Sequence, residues 1–445
     1  ALTIARGMLC DRVLQAGFDA LDDEDFTQWM RRHGADERTL DSALCKAIYV
    51  LAFAYRDGRE EQADIGAGTG LRTILRLTFG YKGSVFWLMQ AGMGDVVFAP
   101  LYLVLRRRGV RFEFFHRVER LRLDAAGRGV EAIEVAEQAT PRGDYEPLLE
   151  VDGLPCWPCE PHHDQLVEGA ALRAGGVNLE SWWAAWTDPR ARVLQRGVDF
   201  DRVLLGIPVS CLRELCAEIV DRDPRWRAMV DGLAAIQTQG VQLWLRGDAG
   251  ALGWVMPRAV ASNGDAPLNV WADMSHLLAQ ERWGDGGEPP GHLLYFCGAM
   301  ETAAHVPGRA DHDFPAREAA RTRESMRRWL LANTARTLPG AVDARGELAW
   351  DLLIDPGEGV GAGRLAAQVA RANIDPTELY ILSVRGSLRH RLRCDESGLD
   401  NLVLTGDWLR NGLNIGCIES AVMSGMQAAR ALSGAPIVVV GEHDV

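Results

Sequence analysis

Asn401 to Leu432, reading NLVLTGDWLRNGLNIGCIESAVMSGMQAARAL, constrains the fold more than any other stretch of this 445-residue chain. Asn401 to Thr405 is a short apolar run of the kind that forms a buried parallel strand. Gly406-Asp407-Trp408 breaks it, and a polar loop follows with Asn411, Gly412 and Asn414. From Gly416 onward, Ile418, Ala421, Val422, Gly425, Met426, Ala429 and Leu432 recur at helical spacing. The small residues Ala421, Gly425, Ala428 and Ala429 let such a helix lie close against a sheet. A strand, a loop carrying one acid and a helix start with bare amides form a corner suited to polyols and anions.

This segment resembles the C-terminal flavin-binding motif of the flavin amine oxidase and phytoene desaturase superfamily. The resemblance implies FAD as cofactor. The acid that follows Gly406, here Asp407, would bind the ribityl or pyrophosphate part. Leu413, Asn414, Ile415, Gly416, Cys417 and Ile418 would lie beside the isoalloxazine ring. Flavin enzymes need few catalytic side chains, because the ring performs the redox step. Trp408, Asn411 and Asn414 are therefore the candidates for orienting substrate and tuning the ring. Cys417 stands at a helix start, where a thiolate is stabilised. A covalent cysteinyl flavin is an alternative, although members that have one carry the Cys in a different local sequence.

Chains of that superfamily open with a strand, a G-x-G-x-x-G turn and a helix that hold the FAD pyrophosphate. Ala1 to Leu14 instead reads as a helix already under way. One glycine-rich candidate exists, Gly66-Ala67-Gly68-Thr69-Gly70. It follows RDGREEQADI, which is no buried strand, and its spacing is G-x-G-x-G; it reads as a flexible loop. The expectation is that the chain is the larger C-terminal piece of a longer polypeptide or of a two-chain enzyme. A missing N-terminal segment or a partner chain would then supply the FAD pyrophosphate loop.

Bulk properties narrow the classes. With 47% hydrophobic and 24% charged residues the chain is an ordinary globular protein, long enough for two or three packed domains. A net charge of −13 argues against nucleic acid as a partner. Arg106-Arg107-Arg108 and Arg389 to Arg393 are short basic clusters, the first capping a helix C-terminus. No span of about 20 apolar residues predicts a transmembrane helix. Nine scattered cysteines suggest reduced thiols in a cytoplasm rather than a disulfide framework.

Along the chain, Phe18 to Gly34 reads as a helical hairpin with Asp25 as N-cap, Phe26, Trp29 and Met30 inward, and Gly34 as stop. It resembles the segment that opens the helical part of the desaturase substrate domain. Ser42 to Tyr55 continues as an apolar helix. Met93 to Leu105 is helical, and Gly109 stops it. Val110, Phe112 and Phe114 then alternate as a strand that Arg117 to Leu123 continues. In the resembled family this crossover re-enters the FAD domain, and a Val there meets adenine through its backbone; that maps onto Val118. Gly127 to Leu149 suggests a β-meander, Phe200 to Pro208 a buried strand, and Val209 to Arg227 a helix. Gln237 to Arg246, Leu268 to Asp273 and His292 to Met300 read as strands, Ser275 to Trp283 and Pro315 to Leu338 as helices. Leu379 to Leu392 returns towards the flavin side.

Other constellations carry bland readings. Cys156, Cys159, His162 and His163 are too compact for a tetrahedral zinc site without strain, so a surface or interface loop is expected and no metal. Trp182, Trp183 and Trp186 form an aromatic patch, read as a packed face with the wall of an apolar pocket as the functional alternative. Asp351, Asp355 and Glu358 surround a Pro-Gly turn and do not support paired-acid chemistry.

The expected fold is α/β. It comprises an FAD-binding Rossmann-type, glutathione reductase-like domain, incomplete at its N-terminus, and a mixed α+β substrate domain. The expected segments are 1–109 (helical part of the substrate domain), 110–208 (FAD domain), 209–378 (substrate domain) and 379–445 (C-terminal FAD segment). The expected activity is hydride transfer from an apolar or aromatic small-molecule substrate to flavin, of desaturase type. A flavin amine oxidase and a non-catalytic flavoprotein subunit are the alternatives. The amine branch usually has an aromatic pair in the flavin loop, and Trp408 has no evident second member. The desaturase resemblance also admits peripheral membrane contact.

Overall fold

The computed structural model describes residues 2–254, 260–262, 266–283, 288–303, 305–357 and 359–443, so Glu358 lies outside the described residues. The fold is mixed α/β; among the described residues it is built around three large cores and two smaller clusters.

The N-terminal part is helical. Leu2–Cys10 lies against α1 (Phe26–Arg32), whose first turn is capped by Asp25. The Asp25 carboxylate accepts from the amides of Thr27, Gln28 and Ile65 and from the Tyr49 hydroxyl, so one short acid fixes three pieces of chain. Phe26, Trp29 and Met30 are buried, as their spacing predicts.

Gly66 to Gly70 overturns its expected flexibility. Gly66 is the N-cap of a buried helix, α2 (Ala67–Leu75). A Cβ at Gly68 would stand 2.0 Å from the Phe18 carbonyl oxygen, and one at Gly70 3.2 Å from the Phe26 ring. These glycines are contact points for backbone and ring, which a residue-spacing rule reads as looseness.

After α3 (Ala99–Arg107) comes a second correction. Val110 to Phe114 is irregular rather than a strand. Phe112 packs edge to face on Tyr102 and stacks on Phe114, which tilts against Tyr102, Trp157 and Tyr145 in one aromatic cluster. With no neighbouring strand to complete a ladder, alternation alone does not make one. Regular pairing starts in β1 (His116–Leu123), which is antiparallel to β2 (Val130–Glu137). The third strand of this sheet is β3 (Arg190–Gln195), not the 149 region, so residues 138–189 form an excursion from the meander.

The chain then makes a very short strand, β4 (Val203–Leu205). The expected single helix over Val209 to Arg227 is broken at Cys216 and again at Asp223-Pro224, where Asp223 caps a new helix start. A five-stranded antiparallel sheet follows: β5 (Thr238–Leu245), β6 (Val260–Ser262), β7 (Val270–Asp273), β8 (His292–Ala299) and β9 (Val369–Asn373), in spatial order β9-β5-β8-β7-β6. Alternate residues of β5 are buried, the period-two pattern of a half-covered sheet. Helix α4 (Phe314–Thr337) lays Met326, Trp329 and Leu330 onto Val241, Leu243 and Phe296. Ser275 to Gln280 is a 3₁₀ turn rather than a helix.

The last strand, β10 (Leu402–Leu404), pairs in parallel with β4, Leu402 opposite Val203 and Leu404 opposite Leu205. Helix α5 (Ile418–Ser433) closes the chain, ending at Gly434 in the left-handed conformation. Among the described residues, no helix is long and apolar enough to cross a membrane.

Replacing Gly68 by Val should lower stability by more than about 2 kcal/mol, since the backbone oxygen of Phe18 has no way to yield cheaply. Gly143→Ala, where nothing lies within 4 Å of the added carbon, should stay within about 0.5 kcal/mol of wild type. Urea midpoints of the two variants check the contrast.

Candidate functional site

The site is the turn between β10 and α5. As the strand ends, the amide of Thr405 donates to the Leu205 carbonyl (2.9 Å), keeping the parallel register. Gly406 follows at φ 145°, and its amide donates to Ser424 Oγ in α5 (2.8 Å). A Cβ at Gly406 would meet Trp408 Nε1 at 2.3 Å. That close approach lets the Trp408 ring turn back into the core beneath the strand pair, where it is 2% exposed.

Asp407 is half-buried. Burial raises its carboxyl above the ordinary carboxylate range, against the pull of the Arg391 charge. Arg391 does not bond that carboxylate: its Nη1 donates to the Asp407 carbonyl oxygen at 2.7 Å. Among the described residues no side chain donates to the Asp407 carboxylate, and only its own backbone amide supports it. Asp407 lies near enough to Cys417 and Tyr380 to act on both. Burial raises their pKa values first, and the Asp407 charge adds to the shift.

Arg391 is the residue that sequence reasoning missed. It is 3% exposed and reaches the carbonyls of Asp407, Leu409 (3.5 Å) and Leu382 (3.1 Å) and the Ser383 hydroxyl (3.2 Å). Burial pulls its pKa down to about 10, which still leaves it charged at neutral pH. Ser383 in turn donates to the Asn414 carbonyl (2.7 Å). Tyr380 donates to the Gly416 carbonyl and meets Phe53 edge to face, centroids 5.1 Å apart.

The loop itself is held by its two asparagines. Asn411 Oδ1 accepts from the amides of Leu413 and Asn414, and its Nδ2 donates to the Ser420 carbonyl and hydroxyl. Asn414 Oδ1 accepts from the Asn411 amide (2.7 Å). Asn414 sits at φ 57°, a conformation Asn tolerates better than most residues. Both polar atoms of the Asn411 side chain and the Asn414 Oδ1 are thus committed to the loop and the first turn of α5. Together with the buried Trp408 ring, these bonds hold the shape of the loop. Leu413 and Ile415 are partly buried, and Ile415 packs on the N-terminal core. Val118 lies in β1 against the same core that holds Trp408.

Cys417 is the N-cap of α5, its sulfur accepting from the Ser420 amide at 3.4 Å. The expected thiolate stabilisation is overturned: burial pushes the thiol up to about 11, so it is protonated at neutral pH. No acceptor among the described residues meets the amides of Ile418 and Glu419. Around this helix start stand a carboxylate without a side-chain donor and two amides without an acceptor among the described residues.

Arg410, the cation that the sequence places in this loop, is tied to Asp19 at 2.8 Å, and Arg72 holds the other oxygen of Asp19 at 2.7 Å. Burial alone would raise the Asp19 carboxyl; the two guanidinium hydrogen bonds outweigh it and hold it low.

The remaining candidates lie elsewhere. Among the described residues, no group of three or more His, Cys, Asp or Glu could hold a metal ion. Trp183 is buried against Phe314, and Trp186 donates to the Gln138 carbonyl. Trp182 walls a cleft of about 240 Å³ with Val209, Cys211 and Leu233. Asp355 caps its own turn at Gly357, and Asp351 is exposed.

No protein-family model matches the chain, and no curated protein matches its sequence. Among solved structures, an oxidoreductase from Methanosarcina mazei aligns over 94% of this chain and 72% of its own, at 12% identity and a TM-score of 0.49. An engineered double mutant of putrescine oxidase, from a redesign of its cofactor binding, aligns over 97% and 76%, at 12% identity and a TM-score of 0.40. Similarity at this level assigns neither activity nor substrate.

Two outcomes follow from the geometry. Arg391→Met should destabilise the chain by about 2–4 kcal/mol in urea titrations, because several buried acceptors lose their donor. Asp407 has a folded-state pKa above its unfolded value, so ionising it costs stability. That stability is intact below the ordinary carboxylate range and is lost as pH rises through the raised value. Asp407→Asn should therefore melt above wild type at neutral pH and match it in acid.

Proposed function

We propose that this chain forms the flavin-facing part of an FAD-dependent oxidoreductase of the desaturase or amine oxidase type. It would accept hydride from an apolar or aromatic small molecule. The observation that carries the reading is Asp407: a half-buried carboxylate, at the end of a parallel strand and beside a helix start, with no side-chain donor of its own. A carboxylate kept in that state is suited to ribityl hydroxyls, which donate to it without bringing a competing charge. FAD, when bound, would supply the two-electron acceptor.

The chain's own residues then divide the work. Gly406 and Asp407 would hold the ribityl chain, and Leu413 to Ile418 would line the ring, with the amides of Ile418 and Glu419 as donors. Val118 would meet the adenine end. Trp408, Asn411 and Asn414 would fix the loop that carries these contacts. The edge-to-face pair of Phe53 and Tyr380 beside Gly416 supports an apolar or aromatic substrate. The parallel pair β4–β10 would belong to a glutathione reductase-like dinucleotide-binding sheet. All nine cysteines are free, which supports a reducing, cytoplasmic setting.

In the complete enzyme, Asp407→Ala should weaken FAD binding by about one to two orders of magnitude, since each charge-assisted hydrogen bond is worth roughly 1.5–3 kcal/mol. Flavin retained after dialysis measures it. Unchanged retention would remove Asp407 from the cofactor site. Anaerobic bleaching of the flavin by a polycationic amine and by no apolar compound would overturn the substrate class.

A further inference from the structure

Residues 81–91, YKGSVFWLMQA between α2 and α3, have little to hold them in place. Among the described residues, none of their amides donates to a backbone carbonyl. Burial does not fix them either: Phe86 is 55% and Trp87 71% exposed, and Phe79 just before them 79%. Gly80 and Gly92 flank the run, and Gly83 inside it stands at φ 88°. A segment with neither ladder bonds nor a buried apolar face belongs to the low-stability end of a fold.

Two side-chain bonds tie the run to two different parts of the molecule. At one end the Tyr81 hydroxyl donates to Glu419 Oε1 at 3.1 Å, in the first turn of α5. Glu419 also accepts from the Cys417 thiol, so Tyr81 is joined through one acid to the loop before that helix. Burial pushes the Tyr81 hydroxyl up to about 12, and the Glu419 charge adds to the shift, so Tyr81 is a donor at neutral pH. At the other end His276 Nε2 donates to the Met89 carbonyl at 2.8 Å. His276 stands in the 3₁₀ turn that follows β7 of the five-stranded sheet. Leu88 and Met89 between these ends are partly buried.

We propose that residues 81–91 form a strap across the candidate site, latched by Tyr81 to Glu419 and by Met89 to His276, and that small apolar molecules reach the loop at Cys417 when a latch opens. Each latch is a single side-chain bond, which water can replace at modest cost. The strap can therefore lift while α5 and the sheet stay in place, with the flanking glycines taking up the change in backbone direction. Loss of one latch should raise the open population about five-fold, since the net value of one such bond is somewhat less than a ten-fold step. The inference rests on the flavin reading for what lies beneath the strap, not for the latches.

The lysines of the sequence provide the test, because they occur only at Lys46 and Lys82. Lys82 lies in the strap and Lys46 in the helix Ala43–Leu51, so an endoproteinase that cuts after lysine reads both regions in one digest. Where reclosing outpaces cleavage, the cutting rate follows the open population. Labelling of Cys417 by N-ethylmaleimide is followed in parallel by mass spectrometry of the peptides. His276→Ala is the decisive variant, because His276 bonds the strap at Met89 and not Glu419 or Cys417. Tyr81→Phe releases the other latch. Each should raise cutting at Lys82 and labelling of Cys417 together, by about five-fold, with cutting at Lys46 unchanged. In His276→Ala, faster cutting at Lys82 with unchanged labelling of Cys417 overturns the proposal. So does wild-type cutting at Lys82 in both variants, or an equal rise at Lys46, which belongs to general unfolding. FAD is then added to the same chains and its retention measured. Coupled opening without retained flavin leaves the strap standing and removes the cofactor reading; retained flavin without coupled opening does the reverse.

Discussion

The site depends on one buried cation. Arg391 uses its guanidinium on three backbone carbonyls and one hydroxyl, drawn from two segments that are distant along the local chain path. A buried charge persists only where such partners are available, so the loop after β10 and the segment at Leu382–Ser383 must keep their relative positions. From there the constraint spreads. Ser383 holds Asn414, and the Ser383 carbonyl accepts from Gly66 at the start of α2 (2.9 Å). Because Arg391 approaches Asp407 through the carbonyl, the carboxylate feels a nearby positive charge yet takes no side-chain donor among the described residues. The backbone of Asp407 thus fixes the loop while its side chain is left out of that bonding.

A second set of contacts sews the N-terminal helices to the same region. Asp22 accepts from the Leu388 amide (3.0 Å), Asp64 pairs with Arg56 (2.7 Å) and accepts from the Arg385 amide, and Asp19 joins Arg72 to Arg410. Three short acids near the start of the chain thus each reach a residue more than three hundred positions later. Burial makes these bonds worth more than surface pairs, since water competes less for them. The glycine-rich start of α2 belongs to this joint: side chains there would push the helix away from Phe18 and Phe26.

These contacts explain what was legible in the sequence. Local period and capping chemistry are written within a few residues, so Asp25, the β5 alternation and the helix after Gly416 could be read directly. Gly66 to Gly70 misled because glycine has the same local signature whether it permits motion or permits contact. Val110 to Phe114 misled because a strand also needs a neighbour, which alternation does not reveal. Arg391 stands in a run of arginines and histidine that looks like solvated charge, and nothing nearby records that its partners lie at 382, 383, 407 and 409. The place of Asp407 just after a short buried strand was legible; its lack of a side-chain donor was not.

Helix α5 shows how one element answers two demands. Its spacing marks Ile418, Val422 and Met426 as the face to bury, yet the loop it must hold is polar. Asn411 needs the Ser420 hydroxyl, and Gly406 needs Ser424, which itself donates back to the Ala421 carbonyl. A buried amide without an acceptor would cost about as much as a lost apolar contact returns, so the hydroxyl face turns inward to the loop. The aliphatic face is then left for whatever packs from the other side. Met423 and Ala428 share the buried face with these hydroxyls, so the helix packs through a mixed face whose orientation the loop fixes.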